Sequence, residues 1–178
     1  MIKLFAKSDP HSSSERKIIV FSVIIAGLLL LIDQITKVLI DHNFTLHESV
    51  VIVDNFFSFT YVTNEGAAWG ILRGYSWLLL TIAVFVMTAI ILFMRWLTEG
   101  FNERYLALAM IFSGIIGNSI DRIWRGKVVD FLDLHIANYN WPPVFNVADS
   151  AICVGVCIFF LSNIFRASKQ KKQETVGE

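Results

Sequence analysis

The chain has 178 residues, of which 55% are hydrophobic and only 17% charged, with 15 basic residues balancing 15 acidic ones. A soluble domain carries roughly 25% charged residues, so this composition argues against a soluble globule and against a disordered chain. The length allows one domain, and zero net charge gives no electrostatic basis for nucleic-acid binding.

The first seventeen residues carry Lys3, Lys7, Arg16 and Lys17 and lead into an uncharged run, Ile18 to Ile32. Its apolar pattern continues past Asp33 and Lys37 to Ile40, long enough for a helix to cross a bilayer. A cleaved signal peptide has a similar approach, but Asp33-Gln34-Ile35-Thr36-Lys37 stands where small cleavage-site residues would be. An uncleaved helix is expected. Segment 41–74 holds one basic residue, Arg73. Within it, Val51-Ile52-Val53, Asp54-Asn55 and Phe56 to Val62 read as two strands around a turn. Gly66, Ala67 and Ala68 beside Trp69 suit either a short segment covering a site or a tight helix contact.

Tyr75 to Met94 is the clearest span, twenty residues without a charge. Arg95 and Arg104 follow, and then the weakest span, Tyr105 to Ile120, which contains Gly114, Gly117 and Asn118. Val128 to Ile136 is β-like, and Asn140-Trp141-Pro142-Pro143 closes that loop. Val144 to Phe165 forms the last span, apolar apart from Asn146, Asp149, Ser150, Ser162 and Asn163. Its Cys153 and Cys157 have no metal-ligand spacing and read as small packing residues. Arg166, Lys169, Lys171 and Lys172 begin a polar tail.

Lys and Arg mark the cytoplasmic side of short loops. The expected organisation is a cytoplasmic basic segment 1–17, a four-span domain 18–165 with outer loops 41–74 and 121–143, and a cytoplasmic tail 166–178. Arg122, Arg125 and Lys127 dissent, lying on the outer side beside Asp121, Asp130 and Asp133. Cations kept there with carboxylates point to a paired network.

At 1.5 Å per residue, Asp33 lies about 24 Å beyond Lys17, and Asp149 about 8 Å below the outer end of the last span. Asn118, Asp121 and Arg122 end the third span on that side, and Asn64 and Asp130 belong to outer loops. Separate segments thus deliver their costliest groups to one layer. An intramembrane carboxylate is expensive and reads as functional by default, although Asp33 also suits an interfacial anchor paired with Lys37 one turn on. Two carboxylates sharing a proton in a partly dry site can supply general base and general acid, the chemistry of aspartic peptidases. No phosphate loop, zinc-protease helix or nucleophile elbow is present. Asp130, Asp133 and His135 are conceivable metal ligands, and a small proton-coupled transporter or channel also carries intramembrane Asp residues. Clustering at one face, with no relay across the bilayer, disfavours transport.

Five blocks then occur in order: Asp33-Gln-Ile-Thr-Lys37, Asn64-Glu-Gly-Ala-Ala-Trp69, Gly117-Asn-Ser-Ile-Asp-Arg122, Gly126-Lys-Val-Val-Asp-Phe131 and Phe145-Asn-Val-Ala-Asp149. Together they resemble the signature of the lipoprotein signal peptidase (signal peptidase II) family over roughly residues 18–165. The resemblance implies an α-helical integral membrane protein of four transmembrane helices with a small periplasmic β-cradle, in the bacterial inner membrane with both termini cytoplasmic. It implies an aspartic endopeptidase, without cofactor or metal, that cuts prolipoproteins before the diacylglyceryl-modified cysteine. Asp130 and Asp149 match the catalytic pair. Asp33, Lys37, Asn64, Gly66, Asn118, Arg122 and Asn146 fall on motif positions that support the pair or position substrate. Implied partners are the diacylglyceryl prolipoprotein, membrane lipids and the inhibitor globomycin, with the protein acting as a monomer. One departure is Ser113-Gly114-Ile115-Ile116 before Gly117, bulkier than the family's usual small residues.

Overall fold

The computed structural model describes residues 13–67, 70–135 and 143–176. Along them run α1 (Ser13–Asn43), β1 (Ser49–Val53), β2 (Phe57–Asn64), α2 (Ser76–Thr98), α3 (Asn102–Arg125), β3 (Val128–Leu134) and α4 (Val147–Val176). Each helix contains a stretch long and apolar enough to cross a membrane. The chain is a multi-pass helical membrane protein with a three-stranded sheet.

The third helix is the hub. It packs most extensively on α4, then on α1 and α2, whereas α1 and α2 scarcely touch. This explains why α3 is the least apolar of the four: its sides meet protein, so it can carry Ser113, Gly114, Gly117, Asn118 and Asp121 in buried positions. Close approach depends on glycine. A Cβ on Gly114 would overlap the Ala148 carbonyl, and one on Gly117 would stand 2.6 Å from Asp33 Oδ2. Ile115 and Ile116 remain half-buried and do not prevent this contact.

The sheet order is β1-β2-β3, antiparallel throughout. The Asp54-Asn55 turn joins β1 to β2, with Asn55 at φ 57, a left-handed conformation that Asn tolerates well. Val62 pairs with Asp130 and Asn64 with Val128. Side chains alternate across a strand, so Val129 and Phe131 share a face, which packs with Ile40 and Tyr61. That cluster fastens the sheet to the end of α1 and leaves Asp130 on the opposite face. Tyr61 also bonds Asp41 through its hydroxyl; burial, and then that carboxylate, push its pKa up to about 12. After β3 the chain returns so that Phe145 pairs with Leu132, which sets Asn146 beside Asp130.

Cys153 and Cys157 face outward from α4, not inward as packing residues. They belong to the apolar surface the bundle shows to lipid, where a small thiol satisfies the solvent as well as it would a core. Lys3, Lys7, Ala68, Trp69, Ile136 and the Asn140-Trp141-Pro142 turn lie outside the described residues.

Candidate active site

The site is assembled on the first turn of α4, where unpaired backbone N–H groups need acceptors. Asn146-Val147-Ala148-Asp149 forms a reciprocal cap. Asp149 N donates to Asn146 Oδ1 at 2.9 Å, and Asn146 N donates to Asp149 Oδ2 at 3.3 Å. A third donor, Ala148 N, reaches Asp33 Oδ1 on α1 at 2.8 Å. Asp33 is only 1% exposed, so it is no interfacial anchor: it ties α1 to the α4 terminus. The positive end of the helix dipole favours carboxylates at both positions.

Lys37 is wholly buried. Its ammonium lies 2.9 Å from Asp33 Oδ2 and 3.0 Å from Asp121 Oδ2, and donates to Asn118 Oδ1 at 3.0 Å. Three protons meet three acceptors, as a buried lysine requires. Lysine can only donate, so Asn118 must turn its oxygen to Lys37 and its amide nitrogen to Asp149 Oδ1, 2.7 Å away. Asn146 is fixed in the same way. Its oxygen accepts from the Asp149 backbone, so its Nδ2 donates to Asp130 Oδ1 at 2.6 Å. Lys37 thereby sets the orientation of an amide on one carboxylate, and the α4 backbone sets it on the other.

Asp130, on β3, is 2% exposed. Burial, and then the neighbouring Asp149 charge, push its pKa up to about 7, against hydrogen bonds from Asn146 and Asn64 and the Lys37 charge. Its carboxyl therefore keeps a proton at a pH where an exposed aspartate has lost it.

The remaining motif residues shape the border. Arg122 Nη2 donates to Gly66 O at 2.7 Å, and Gly66 N donates to Asn64 Oδ1 at 2.9 Å. A Cβ on Gly66 would lie 2.7 Å from the Ile71 carbonyl, so only glycine fits. Arg122 thus holds the backbone at Gly66 against α3. The structure brings Asp33, Lys37, Asn118, Asn146, Asp130 and Asp149 into one connected network and sets Asn64, Gly66 and Arg122 at its edge.

Asp121 is a residue that motif reading did not assign to the site. Fully buried, it meets Lys37, accepts from Arg125 Nη1 at 2.6 Å and from Val129 N at 3.2 Å. It locks β3 to α3 one residue before Asp130. Its signal in the sequence was an acid between Asn118 and Arg122, one turn before Arg125. The proposed metal set does not form. Asp133 accepts from Thr60 at 2.7 Å and His135 lies beside Ser58, on the strand face opposite Asp130, and no group of three candidate ligands is placed to hold a metal among the described residues.

A family model described as Signal peptidase (SPase) II matches residues 25–165. The chain belongs to the signal peptidase II family. It is 41% identical to the lipoprotein signal peptidase of Bacillus subtilis, over 84% of this chain and 97% of that protein. It is 44% identical to that of Halalkalibacterium halodurans, over 85% and 96%. A solved bacterial membrane enzyme superposes with TM-score 0.79 at 32% identity, covering 84% of this chain and 90% of that one. Signal peptidase II enzymes are membrane proteases that remove the signal peptide from prolipoproteins. Membership leaves the transporter reading without support.

Proposed function

We propose that Asp130 and Asp149 are the catalytic dyad and that they hydrolyse the prolipoprotein immediately before its diacylglyceryl cysteine. The observation that carries this reading is the bridge through Asn146, which contacts both carboxyl groups within one buried network.

The ionised partner is Asp149, which receives two hydrogen bonds at a helix N-terminus. Asp130 holds the shared proton. Asp149 takes a proton from water as the water oxygen bonds to the scissile carbonyl carbon, and Asp130 gives its proton to the carbonyl oxygen. The resulting diol returns a hydroxyl proton to Asp130 while Asp149 protonates the departing amine and the C–N bond breaks. Both aspartates end as they began. Asp33, Lys37, Asn118 and Asn146 hold the pair. Asn64, Gly66 and Arg122 hold the loop beside it, against which the extended substrate and the cyclic peptide globomycin bind.

Acyl chains add about 0.8 kcal/mol of anchoring per buried methylene, so the substrate stays in the leaflet and must be cut at its edge. The domain 18–165 therefore works as a monomer surrounded by lipid in the inner membrane, with both termini cytoplasmic and the dyad near the periplasmic face. The test is a gel-shift assay of purified protein with matched diacylglyceryl and unmodified prolipoprotein. Rapid processing of the lipidated form alone is expected, with none by Asp149→Asn. Equal rates on both substrates would overturn the interfacial reading, and turnover by Asp149→Asn would overturn the dyad.

A further inference from the structure

Asp130 and Asp149 reach the site on separate parts of the molecule. Asp149 rides on the first turn of α4, tied to the bundle by Asn118 and, through Ala148 N, by Asp33. Asp130 rides on β3, in a sheet that an apolar cluster with Ile40 holds down on α1. Apolar contact has no direction, so it does not fix where the sheet sits. Charge-assisted hydrogen bonds set both length and direction, and Arg125 makes one where α3 turns into β3. We propose that Arg125 is a positioning residue for cleavage: it bridges Asp121 on α3 and Asp41 on α1, holds Tyr61 of β2 through Asp41, and so sets Asp130 against Asp149. This inference rests on the dyad assigned above.

The chain of contacts is continuous. Arg125 is the last residue of α3, before Gly126 turns the backbone through the left-handed region at φ 74. Its Nη1 donates to Asp121 Oδ1 at 2.6 Å, and its Nε lies 3.4 Å from Asp41 Oδ2. The other oxygen of Asp41 accepts from the Tyr61 hydroxyl. Asp121 Oδ2 meets Lys37 and Val129 N, the residue before Asp130. Arg125 thus takes the Asp121 oxygen that Lys37 and Val129 leave, and keeps the second one aimed at β3.

Tyr61 lies in a bulge. Phe59 pairs with Leu132 and Val62 with Asp130, so β2 takes three steps where β3 takes two. A bulge bends its strand and re-aims the side chains around it, and this one adjoins the pairing of Asp130. The Tyr61 ring is buried in the apolar cluster. Its hydroxyl, with a pKa pushed up to about 12 by burial and then by Asp41, stays a donor. Asp41 is 42% exposed, so its pair with Arg125 adds little stability by itself. Its effect is geometric, because a rigid guanidinium fork fixes two carboxylates from two helices at set angles.

Kinetics of the full-length protein, reconstituted with a diacylglyceryl prolipoprotein and scaled to the folded fraction, test this. Arg125→Gln should lower kcat about 10- to 100-fold and change KM by no more than about twofold, because a misplaced dyad still binds substrate. Tyr61→Phe keeps the ring in its cluster and removes only the hydroxyl; it should lower kcat less, again at constant KM. The double variant should be scarcely worse than Arg125→Gln, since both changes break one chain. Arg104→Met, at the far end of the bundle, should lower the unfolding temperature and leave kcat unchanged. A rise in KM in place of the fall in kcat, independent losses in the double variant, or an equal loss of kcat in Arg104→Met would overturn the positioning role. Asp130→Asn is the reference. Turnover by it would overturn the dyad itself, whereas an inactive Asp130→Asn beside a fully active Arg125→Gln would overturn the positioning role alone.

Discussion

Two polar networks cap opposite ends of the same bundle, and they differ in charge balance and in burial: one surrounds a single buried arginine with partners open to solvent, and the other is enclosed. At one end Arg104, 4% exposed, bonds Ser162, Asn163 and the Leu97 carbonyl and pairs with Glu99. Arg166 pairs with Glu103 and lies over the Phe101 ring. Two cations meet two acids, every charge is answered, and the result fastens α4 to the start of α3. At the other end Asp33, Asp121, Asp130 and Asp149 face Lys37, Arg122 and Arg125. Acids outnumber bases even before the more exposed Asp41, which shares Arg125, is counted. A buried excess of carboxylate is relieved most cheaply by keeping a proton. A balanced network is structural, and one acid too many makes a proton available for chemistry.

Removing that proton site should have the largest effect. Asp130→Asn and Asp149→Asn should each lower cleavage by roughly 10³-fold or more while the protein accumulates in the membrane, and the double variant should be scarcely worse. Additive losses in purified, reconstituted protein would show two independent roles. Next, Lys37→Met strands Asp33 and Asp121 and frees the Asn118 amide to turn. It should cost about 3–5 kcal/mol of stability, read as a lower unfolding temperature in detergent, and slow cleavage as well. Adding Asp121→Asn should recover part of the stability. At the balanced end, Arg104→Met should cost about 2–3 kcal/mol but leave the cleavage rate per folded molecule unchanged. A specific loss of kcat there would break the contrast between the two ends.

A smaller, signed effect concerns pH. Asp130 binds its proton more tightly in the folded chain, at about 7 against 3.8 for the free group. Its contribution to stability is therefore fully present below about 4 and is lost as pH rises to about 7. Asp130→Asn has no such loss. Its unfolding temperature relative to the parent should rise across that window and then level off, and a constant difference from pH 4 to 8 would place the proton elsewhere.

The four spans and the β1–β2 turn were legible because apolar length and strand alternation are local signals, and the common depth of the polar residues followed from helix rise alone. Partnership was less legible. Asp33 and Lys37 read as supports of the catalytic pair, with an interfacial anchor one turn apart as the alternative for Asp33, but their decisive contacts, to Ala148 N and Asp121, come from more than eighty residues away. The Asn146–Asp149 cap was not read from the sequence, although an Asn with an acid three residues on is a capping pattern. Asp121 read as one acid of a paired outer network but received no role in the site, because only the fold shows that β3 returns over it. Arg104 read as a loop charge marking a membrane face, but the proximity of Ser162, Asn163 and Phe159 lets it be buried. The outward-facing cysteines show the limit of composition: in a membrane protein, small apolar residues suit the surface as well as the core.

Asp130 and Asp149 are proposed to share one proton, which each round of cleavage uses and restores. The most direct test is kcat/KM against pH for the reconstituted protein with a diacylglyceryl prolipoprotein. Activity should fall on the alkaline side with an apparent pKa near 7, as Asp130 ionises. Activity that stays level through pH 9 would contradict it.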